Sequence, residues 1–407
     1  MKINYTLLIF IGLFGLLHAN EEPKEKKKTI CLNMIVKNES KVIERCLNSV
    51  KPFIDHWIIV DTGSTDNTQS IIKECLKDIP GTLYEHPWKN FEYNRNHALS
   101  LAKKKGDYLL FIDADEELIQ KENSEFPSLK EDAYIMTCLM GETRFHRISI
   151  VNNHLNWYWK GPVHEVVICD DVDKQALLMN MHYKIRRQGA RSQNSNVFEE
   201  DIQILLEALK EEPDNKRNLF YLAQSYFDCE KYEEAIKYYK KRASFEGEDE
   251  EKYLSIYYTG VAKQLLGYPQ EECVQTYFKA YASFPHRAEP LFQIAQIYRA
   301  QQKYEAAFTM ANLALSIPMP EDLLNVDVGV YRHKLLLEVA DNAFYLNRYA
   351  DALLATMRLM QTPDLSENVL EKVVNNINYF RDMGTNHKLP GVQLISKSVD
   401  ITPASNN

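Results

Sequence analysis

The sequence lacks several patterns that mark common enzyme classes. No Gly-x-Gly-x-x-Gly follows any of its apolar segments, which argues against a dinucleotide-dependent oxidoreductase. Its seven cysteines include no Cys-x-x-Cys pair, and their odd count and scattered spacing argue against a disulfide framework, although one or two bridges stay open. Basic residues are also fewer than acidic ones: there are 48 Lys and Arg against 57 Asp and Glu, which gives a net charge of −9. This balance disfavours nucleic acid as the main partner, because proteins that bind it usually present a basic face.

The N-terminus holds no apolar run long enough to span a bilayer comfortably. The run from Leu7 to Leu17 follows Lys2 and precedes Ala19 and a charged stretch. This run has the length of a signal-peptide core rather than of a transmembrane helix. We therefore expect a signal peptide or a short uncleaved anchor at residues 1–19 and a charged linker at 20–28. The protein would then enter the secretory pathway or be exported, with membrane anchoring by the N-terminus as the alternative.

Apolar segments of strand length alternate with amphipathic helical segments between Ile30 and Leu118. This alternation predicts a mostly parallel sheet covered by helices, and a chain of 407 residues has room for a second domain. Ligands of such sheets bind beyond the carboxyl ends of the strands. The predicted strands are Thr29–Val36, His56–Asp61, Leu83–Glu85 and Asp107–Ile112.

Two carboxylates follow the fourth predicted strand, Asp113 and Asp115. Hard divalent cations that hold phosphates are often bound by one or two carboxylates. The pattern therefore predicts a metal-bound diphosphate site at this edge of the sheet. An ordinary acidic loop is the competing interpretation, since Glu116 and Glu117 follow directly.

Four linked motifs carry a resemblance to a known family: ICLNMIVKNES, WIIVDTGSTDNT, NRNHALSLAKKKGDYLLF and IDADEEL. They resemble the nucleotide-binding half of family 2 glycosyltransferases of the GT-A fold. Beyond Leu118 the similarity narrows to bacterial-type members that carry helical repeats and a Val-His-Glu element, here Val163-His164-Glu165. The chain departs from the family at Thr62, where a second Asp often follows the residue equivalent to Asp61.

This resemblance implies a GT-A domain over residues 29–190 and an activity. The expected reaction is metal-dependent, inverting transfer of a sugar from a nucleotide-diphosphate donor, with a UDP-sugar as first choice. The acceptor would be a glycan, a lipid-linked molecule or a protein. Asp115 is expected to bind Mn²⁺ or Mg²⁺, and Asp113 to contact the metal or the ribose.

Other residues of the motifs are candidates for the nucleotide-sugar site. Asp61 ends the second strand, where a carboxylate could accept from a nucleobase N–H or a ribose hydroxyl. Asn38 and Glu39 follow the first strand and are expected near the ribose, although Glu39 could equally cap the next helix. Arg95 starts the third helix near the expected base and phosphates, with a surface arginine as the alternative.

The candidate catalytic base is Glu165, with His164 beside it. The segment before them is rich in aromatic residues, Trp157, Tyr158 and Trp159, as in sites where sugars stack. A buried aromatic core beside a structural histidine would give the same pattern. A positioned carboxylate or histidine would take the proton of the acceptor hydroxyl or thiol.

The second half shows a repeat of tetratricopeptide length. Helical periodicity begins after about Ser195, and equivalent aromatic and aliphatic positions recur every 36 residues. Units of this kind stack into an all-α solenoid, which we expect over residues 197–363, followed by a C-terminal helix and tail at 364–407. The repeats could bind an acceptor, a protein partner or a second copy of the chain. The aligned positions are Tyr232, Tyr268 and Tyr304; Phe220, Ile256 and Phe292; and Leu222, Tyr258 and Ile294, with a looser copy from Tyr349.

Two further classes compete with the transferase interpretation. A sugar-nucleotide pyrophosphorylase would need a glycine-rich, arginine-containing loop after the first strand, where this chain has Lys37-Asn38-Glu39-Ser40. A non-catalytic repeat scaffold with a degenerate transferase domain is the stronger rival. The presence of Asp61, Asp113 and Asp115 counts against it.

Overall fold

The computed structural model describes residues 27–247 and 249–385. The expected signal segment at 1–19, most of the charged linker and the end of the tail lie outside these residues. No helix within the described ranges is both long enough and apolar enough to cross a membrane.

The first part of the chain is a mixed sheet with helices on it. Its strand order is β3-β2-β1-β4-β7-β6-β10-β5, and β8 pairs with β9 in a separate two-stranded sheet. Neighbours among β1–β4 are parallel. The strands are β1 (Ile30–Val36), β2 (His56–Asp61), β3 (Gly81–Glu85), β4 (Tyr108–Phe111), β5 (Glu116–Gln120), β6 (Ala133–Met140), β7 (Thr143–Asn152), β8 (Tyr158–Lys160), β9 (Val166–Ile168) and β10 (Gln175–Ile185); the helices are α1 (Ile43–Val50), α2 (Thr68–Cys75) and α3 (Phe91–Leu101).

The strands β1, β2 and β4 are mostly apolar and buried on both faces, because helices or other strands cover each side of the sheet. Ile58 packs in the cluster with Leu99 of α3, while the next residue, Ile59, packs in the opposite cluster with Leu47 of α1. Gly81 starts β3 where the Trp57 ring leaves no room for a Cβ atom, with ring carbons 2.2 Å from its ideal position. All seven cysteines lie in the described residues, and every one is a free thiol.

The second part is a stack of antiparallel helix pairs. Ala235, Ala307 and Ala352 are buried where helices cross, each three residues after a repeat tyrosine, as the sequence predicts. These tyrosines begin the second helix of a pair, except that Tyr268 lies just before α8. The helices are α4 (Val197–Glu211), α5 (Lys216–Asp228), α6 (Tyr232–Ala243), α7 (Glu250–Leu265), α8 (Gln270–Ser283), α9 (Glu289–Ala300), α10 (Tyr304–Leu315), α11 (Leu335–Tyr345), α12 (Tyr349–Met360) and α13 (Glu367–Thr385).

The connection between α10 and α11 returns to the sheet. Its two-residue strand β11 (Val326–Asp327) pairs antiparallel with the start of β7, at Arg144 and Thr143. Close by, the His146 amide donates to the Leu323 carbonyl at 2.7 Å. The helical part therefore extends the sheet through backbone hydrogen bonds.

Candidate active site

The carboxyl ends of β1, β2 and β4 meet at one edge of the sheet. Val36 of β1 pairs with Asp61 of β2, and Asn33 of β1 pairs with Phe111 of β4. Asn38, Asp61 and Asp113 therefore follow neighbouring strands at the same edge. Because such an edge collects the polar loops between strands and helices, it is where an α/β sheet binds its ligand.

Asp61 is fully buried, and only one of its carboxylate oxygens is satisfied. Oδ1 accepts hydrogen bonds from the Gly63 and Ser64 amides, at 2.8 and 2.6 Å. Oδ2 is buried without a partner in the described part of the chain. A buried, unpaired carboxylate oxygen is costly, so this atom is a ready acceptor for a ligand N–H or hydroxyl.

Asn38 shapes the loop that follows β2. Its backbone has a φ of 58°, a left-handed conformation that asparagine tolerates better than most residues. Its Oδ1 accepts from the Thr65 amide at 2.8 Å, and its own amide donates to Ser64 Oγ at 2.8 Å. In this structure Asn38 therefore joins the first and second loops of the site.

Glu39 does not cap α1, which has no side-chain cap. Its carboxylate instead accepts from the Ala190 amide, at 3.2 and 3.1 Å to the two oxygens. Burial raises the pKa of Glu39 to about 7, against the hydrogen bond from Ala190, and the nearby charges of Asp115 and Asp113 raise it further. Glu39 thus belongs to the same acidic group as the two carboxylates after β4.

Asp113 lies between two arginines. Its Oδ1 is 2.7 Å from Arg95 Nη2, and its Oδ2 is 3.4 Å from Arg147 Nη1. The surrounding protein alone would raise the pKa of Asp113, but the two guanidinium groups outweigh it and lower the pKa to about 2. Arg147 also pairs with the buried carboxylate of Glu116, whose pKa burial raises above the usual range despite that arginine.

Arg147 and Glu116 are functional candidates that sequence reasoning missed. In the sequence Glu116 looks like a residue of an ordinary acidic loop. In the structure it is buried and accepts a hydrogen bond from the Asp113 amide at 3.0 Å. Arg147 lies on β7, on the far side of β4 from β1. Because β7 also contains Arg144 and His146, its sequence gave no signal that set Arg147 apart.

Asp115 faces the segment that connects β10 to α4. Its Oδ2 accepts from the Gly189 amide at 3.1 Å, and its carbonyl accepts from Arg45 Nη2 at 3.2 Å. The ideal Cβ position of Gly189 would lie 3.1 Å from the Asp115 carboxyl carbon, so glycine permits this close approach. The amides of Gly189 and Ala190 together cover the carboxylates of Asp115 and Glu39.

Arg95 connects Asp113 to the candidate base, Glu165. Its Nε pairs with Glu165 Oε1 while its Nη2 holds Asp113. The guanidinium carbon lies 4.7 Å from the centre of the Trp159 ring. The side chains of Arg95 and Glu165 are only 11% and 9% exposed. Arg95 is therefore a buried link between two carboxylates, which rules out the surface-arginine alternative.

His164 and Glu165 point to different partners. The His164 ring stacks on Tyr221 of α5, with 4.1 Å between ring centres and 8° between planes. His164 is exposed as a residue, but the protein packed around its ring and the charges of Arg217, Arg191 and Arg187 lower its pKa. His164 is thus a neutral contact to the helical part, and Glu165 is the member of the pair that enters the acidic site.

Metal binding at this edge would have to use few protein ligands. The described residues contain no group of three or more His, Cys, Asp or Glu side chains arranged to hold an ion. Both oxygens of Asp113 are engaged by arginines, whereas Asp115 is half-buried and its carboxylate accepts from one main-chain amide. Asp115 is therefore the residue that fits a cation whose other ligands are phosphate and water oxygens.

Comparisons with known proteins match the segment that forms this edge of the sheet. The family described as "Glycosyl transferase family 2" matches residues 31–124. The SPbeta prophage-derived glycosyltransferase SunS of Bacillus subtilis (strain 168) is 31% identical over 247 residues, which cover 54% of this chain and 54% of that protein. An uncharacterized glycosyltransferase of Rickettsia bellii is 38% identical over 112 residues, 26% of this chain and 36% of that protein.

Other similarities concern repeat proteins. A TPR repeat-containing protein of Synechococcus elongatus is 35% identical over 147 residues, covering 34% of this chain and 35% of that protein. The solved structure of a thermophilic TPR protein from Thermus thermophilus aligns with a TM-score of 0.32 and 16% identity, over 45% of this chain and 92% of that one. The chain spans about half the length, or less, of these curated relatives. The segment at residues 31–124, which carries Asp61, Asp113 and Asp115, matches the family described as "Glycosyl transferase family 2" and is similar to these glycosyltransferases.

Proposed function

We propose that this chain transfers a sugar from a UDP-sugar to an acceptor hydroxyl or thiol, with inversion at the sugar carbon and with the help of a divalent cation. The observation that carries the proposal is the placement of Asp61, Asp113 and Asp115. They follow two parallel strands that flank β1, inside the segment that matches the family. The acceptor class is a glycan, a lipid-linked molecule or a protein.

The donor nucleoside is assigned to the loops after β1 and β2. Asp61 Oδ2 is buried and unpaired in the described structure, so an N–H of the base or a ribose hydroxyl would satisfy it. Asn38 is linked to Asp61 through Ser64, which contacts both residues. Asn38 and Glu39, which follow β1, are assigned to the ribose side. The hydrogen bonds from Gly63 and Ser64 hold the Asp61 carboxylate in place before any ligand arrives.

The diphosphate is assigned to the edge at Asp115. A Mn²⁺ or Mg²⁺ ion held there by Asp115 would neutralise charge on the leaving diphosphate as a Lewis acid. Asp113 is assigned an orienting role, because Arg95 and Arg147 hold both of its oxygens. This assignment departs from the expectation that Asp113 contacts the metal or the ribose.

Glu165 is assigned as the base. In the single displacement, the acceptor oxygen or sulfur forms a bond to the anomeric carbon while the bond from that carbon to the diphosphate oxygen breaks. The acceptor proton moves to the Glu165 carboxylate, a step for which a positioned base typically contributes about 10²–10⁴ in rate. Arg95 fixes the orientation of Glu165 through its Nε.

A non-catalytic scaffold is the second candidate function. Asp113 is held by two arginines, and the amides of Gly189 and Ala190 occupy the carboxylates of Asp115 and Glu39. These contacts would be present in a site that has lost its activity and also in an active site that holds no donor. In a transferase, a sugar donor would displace the segment at Gly189 and would then be turned over. In a scaffold, no donor would be turned over.

One experiment separates them. The protein is incubated with a panel of nucleotide sugars and Mn²⁺ or Mg²⁺, and both nucleotide release and thermal shift are measured. We expect a UDP-sugar with metal to raise the melting temperature and to release UDP. No shift and no release with any donor would contradict the proposal and favour the scaffold.

A further inference from the structure

The turn that carries Glu165 has an unusual backbone. It connects β8 to β9 through residues 161–165, and two of its residues have positive φ, Gly161 at 119° and His164 at 52°. A positive φ is unfavourable for a histidine, so such a conformation persists only where surrounding contacts fix it. The direction of the Glu165 side chain depends on this turn, because Glu165 follows His164 directly.

The helical part supplies the contacts that hold His164. Arg217 of α5 donates to the His164 carbonyl from Nη2 at 2.9 Å and from Nε at 3.3 Å. Arg217 is itself fixed by Glu251 of α7, 3.2 Å from its Nη1, and by the Tyr221 hydroxyl, 3.2 Å from its Nη2. The Tyr221 ring also stacks on the His164 ring.

Val163 is anchored in the same direction. It is 3% exposed and packs in a cluster with Leu205 of α4 and Leu222 of α5. The transferase domain holds the start of the turn, where the Gly161 amide donates to Glu92 Oε2 at 2.7 Å. The turn is thus held at one end by α3 and in its middle by α4 and α5.

We propose that Arg217 is a positioning residue for the transfer reaction. Arg217, in the first helix pair of the solenoid, donates hydrogen bonds to the His164 carbonyl. These bonds fix the turn so that Glu165 points toward Arg95 and the acceptor proton. This inference rests on the proposed function and adds to it a role for the helical part: that part completes the catalytic site instead of being only an attached binding module.

The test compares Arg217→Ala and Arg217→Lys with Arg332→Ala. Arg332 is a matched control, because it also donates from Nη2 to a turn carbonyl, that of Pro363, but far along the solenoid. We expect Arg217→Ala to lower kcat on the order of 10²-fold, the usual effect of misplacing a catalytic group by about 1 Å, with the donor KM unchanged. Lysine cannot make both hydrogen bonds that the guanidinium donates to the His164 carbonyl. The kcat of Arg217→Lys should therefore lie between those of Arg217→Ala and the native protein. Arg332→Ala should leave both constants unchanged.

Two readouts distinguish positioning from a merely structural role. Adding Arg217→Ala to Glu165→Gln should cause little further loss, because a residue that acts through Glu165 has nothing left to position. Amide hydrogen exchange at residues 163–165 should accelerate in Arg217→Ala while exchange in β1 and β2 is unchanged. Equal losses from Arg217→Ala in both backgrounds, or unchanged exchange in the turn, would overturn the inference.

The exchange measurement needs no activity, so it also separates this inference from the proposed function. If the native protein turns over no donor, the proposed function fails and the positioning role fails with it, yet faster exchange would still establish the contact as the anchor of the turn. If Arg217→Ala does not fold, Arg217→Lys carries the same comparison of kcat, KM and exchange. Native kcat and exchange in that folded variant would contradict the inference.

Discussion

Arg95 Nη2 lies 2.7 Å from Asp113 Oδ1. The same guanidinium also pairs with Glu165, so the candidate base and a carboxylate of the donor site share one cation. Arg95 and Glu165 are largely buried, whereas the Asp113 side chain is 39% exposed. A change of charge at either carboxylate acts on the other through the guanidinium that both contact. The two halves of the proposed reaction therefore meet at a single arginine.

Asp115→Ala should abolish transfer and leave the fold intact. The side chain is assigned to the ion that neutralises the leaving diphosphate, and losing such stabilisation costs about a hundredfold or more in rate. Turnover and melting temperature are the measurements, with Asp214→Ala, an exposed aspartate of the helical part, as the control. Full activity of the variant, or of the native protein in excess chelator, would exclude the metal assignment.

Asp61→Asn should weaken nucleotide binding. Asparagine keeps one oxygen for the Gly63 and Ser64 amides but replaces the unpaired Oδ2 with an NH₂ group. Loss of a hydrogen bond to a charged acceptor, about 1.5–3 kcal/mol, predicts roughly a 10- to 100-fold higher Kd for UDP by calorimetry. Asp78→Asn, at an exposed site, should bind like the native protein, and equal affinities for all three proteins would contradict the nucleoside role.

Glu165→Gln should separate binding from transfer. Glutamine preserves size and a hydrogen-bonding oxygen but cannot take the acceptor proton. Donor affinity should survive while transfer falls on the order of 10²–10⁴-fold. A variant that loses nucleotide binding or unfolds would show that Glu165 is structural.

The raised pKa of Glu39, about 7, predicts a pH dependence of stability in the metal-free protein. The folded state holds this proton more tightly than the unfolded chain, whose carboxyl titrates near its ordinary value. Glu39 therefore lowers the free energy of unfolding as the pH rises from about 4.5 through about 7. The melting temperature of the native protein should fall relative to that of Glu39→Gln over this window. Glu44→Gln, on the exposed face of α1, should track the native protein, and a constant gap between native and Glu39→Gln would contradict the prediction.

A fragment that starts at Ser195 should fold alone as a helical protein and bind no nucleotide. The helix pairs bury their own clusters, around Tyr239, Tyr277 and Ala340, and the nucleotide-binding loops lie upstream. Circular dichroism and calorimetry with UDP are the measurements. An unfolded fragment, or one that binds UDP, would place the division between the two parts elsewhere.

Much of the donor side could be predicted from the sequence, because it depends on local pattern. The buried run His56–Asp61 matches β2, and parallel strands bring Asp61 and Asp113 to one edge whatever the rest of the chain does. Family resemblance then drew attention to Glu165.

The contacts that define the site electrostatically could not be predicted in this way. Arg147 reaches Asp113 only because β7 pairs with β4. The order of strands in a sheet cannot be predicted from hydrophobic periodicity. Tyr221 stacks on His164 through the packing of α5 against a turn 57 residues earlier. Both contacts depend on long-range geometry, which a pattern read along one chain does not contain.

The pairing of β11 with β7 also bears on how the chain is made. The start of β7 has β6 on one side, and its other side is completed by Val326 and Asp327, which pair with Arg144 and Thr143. At typical synthesis rates of about 5–20 residues per second, roughly 10–40 s pass before the ribosome supplies these partners. Until then the nascent sheet keeps an open stretch of edge, the kind of surface on which chains aggregate. Truncation before residue 326 is thus a hazard for solubility as well as a loss of helices.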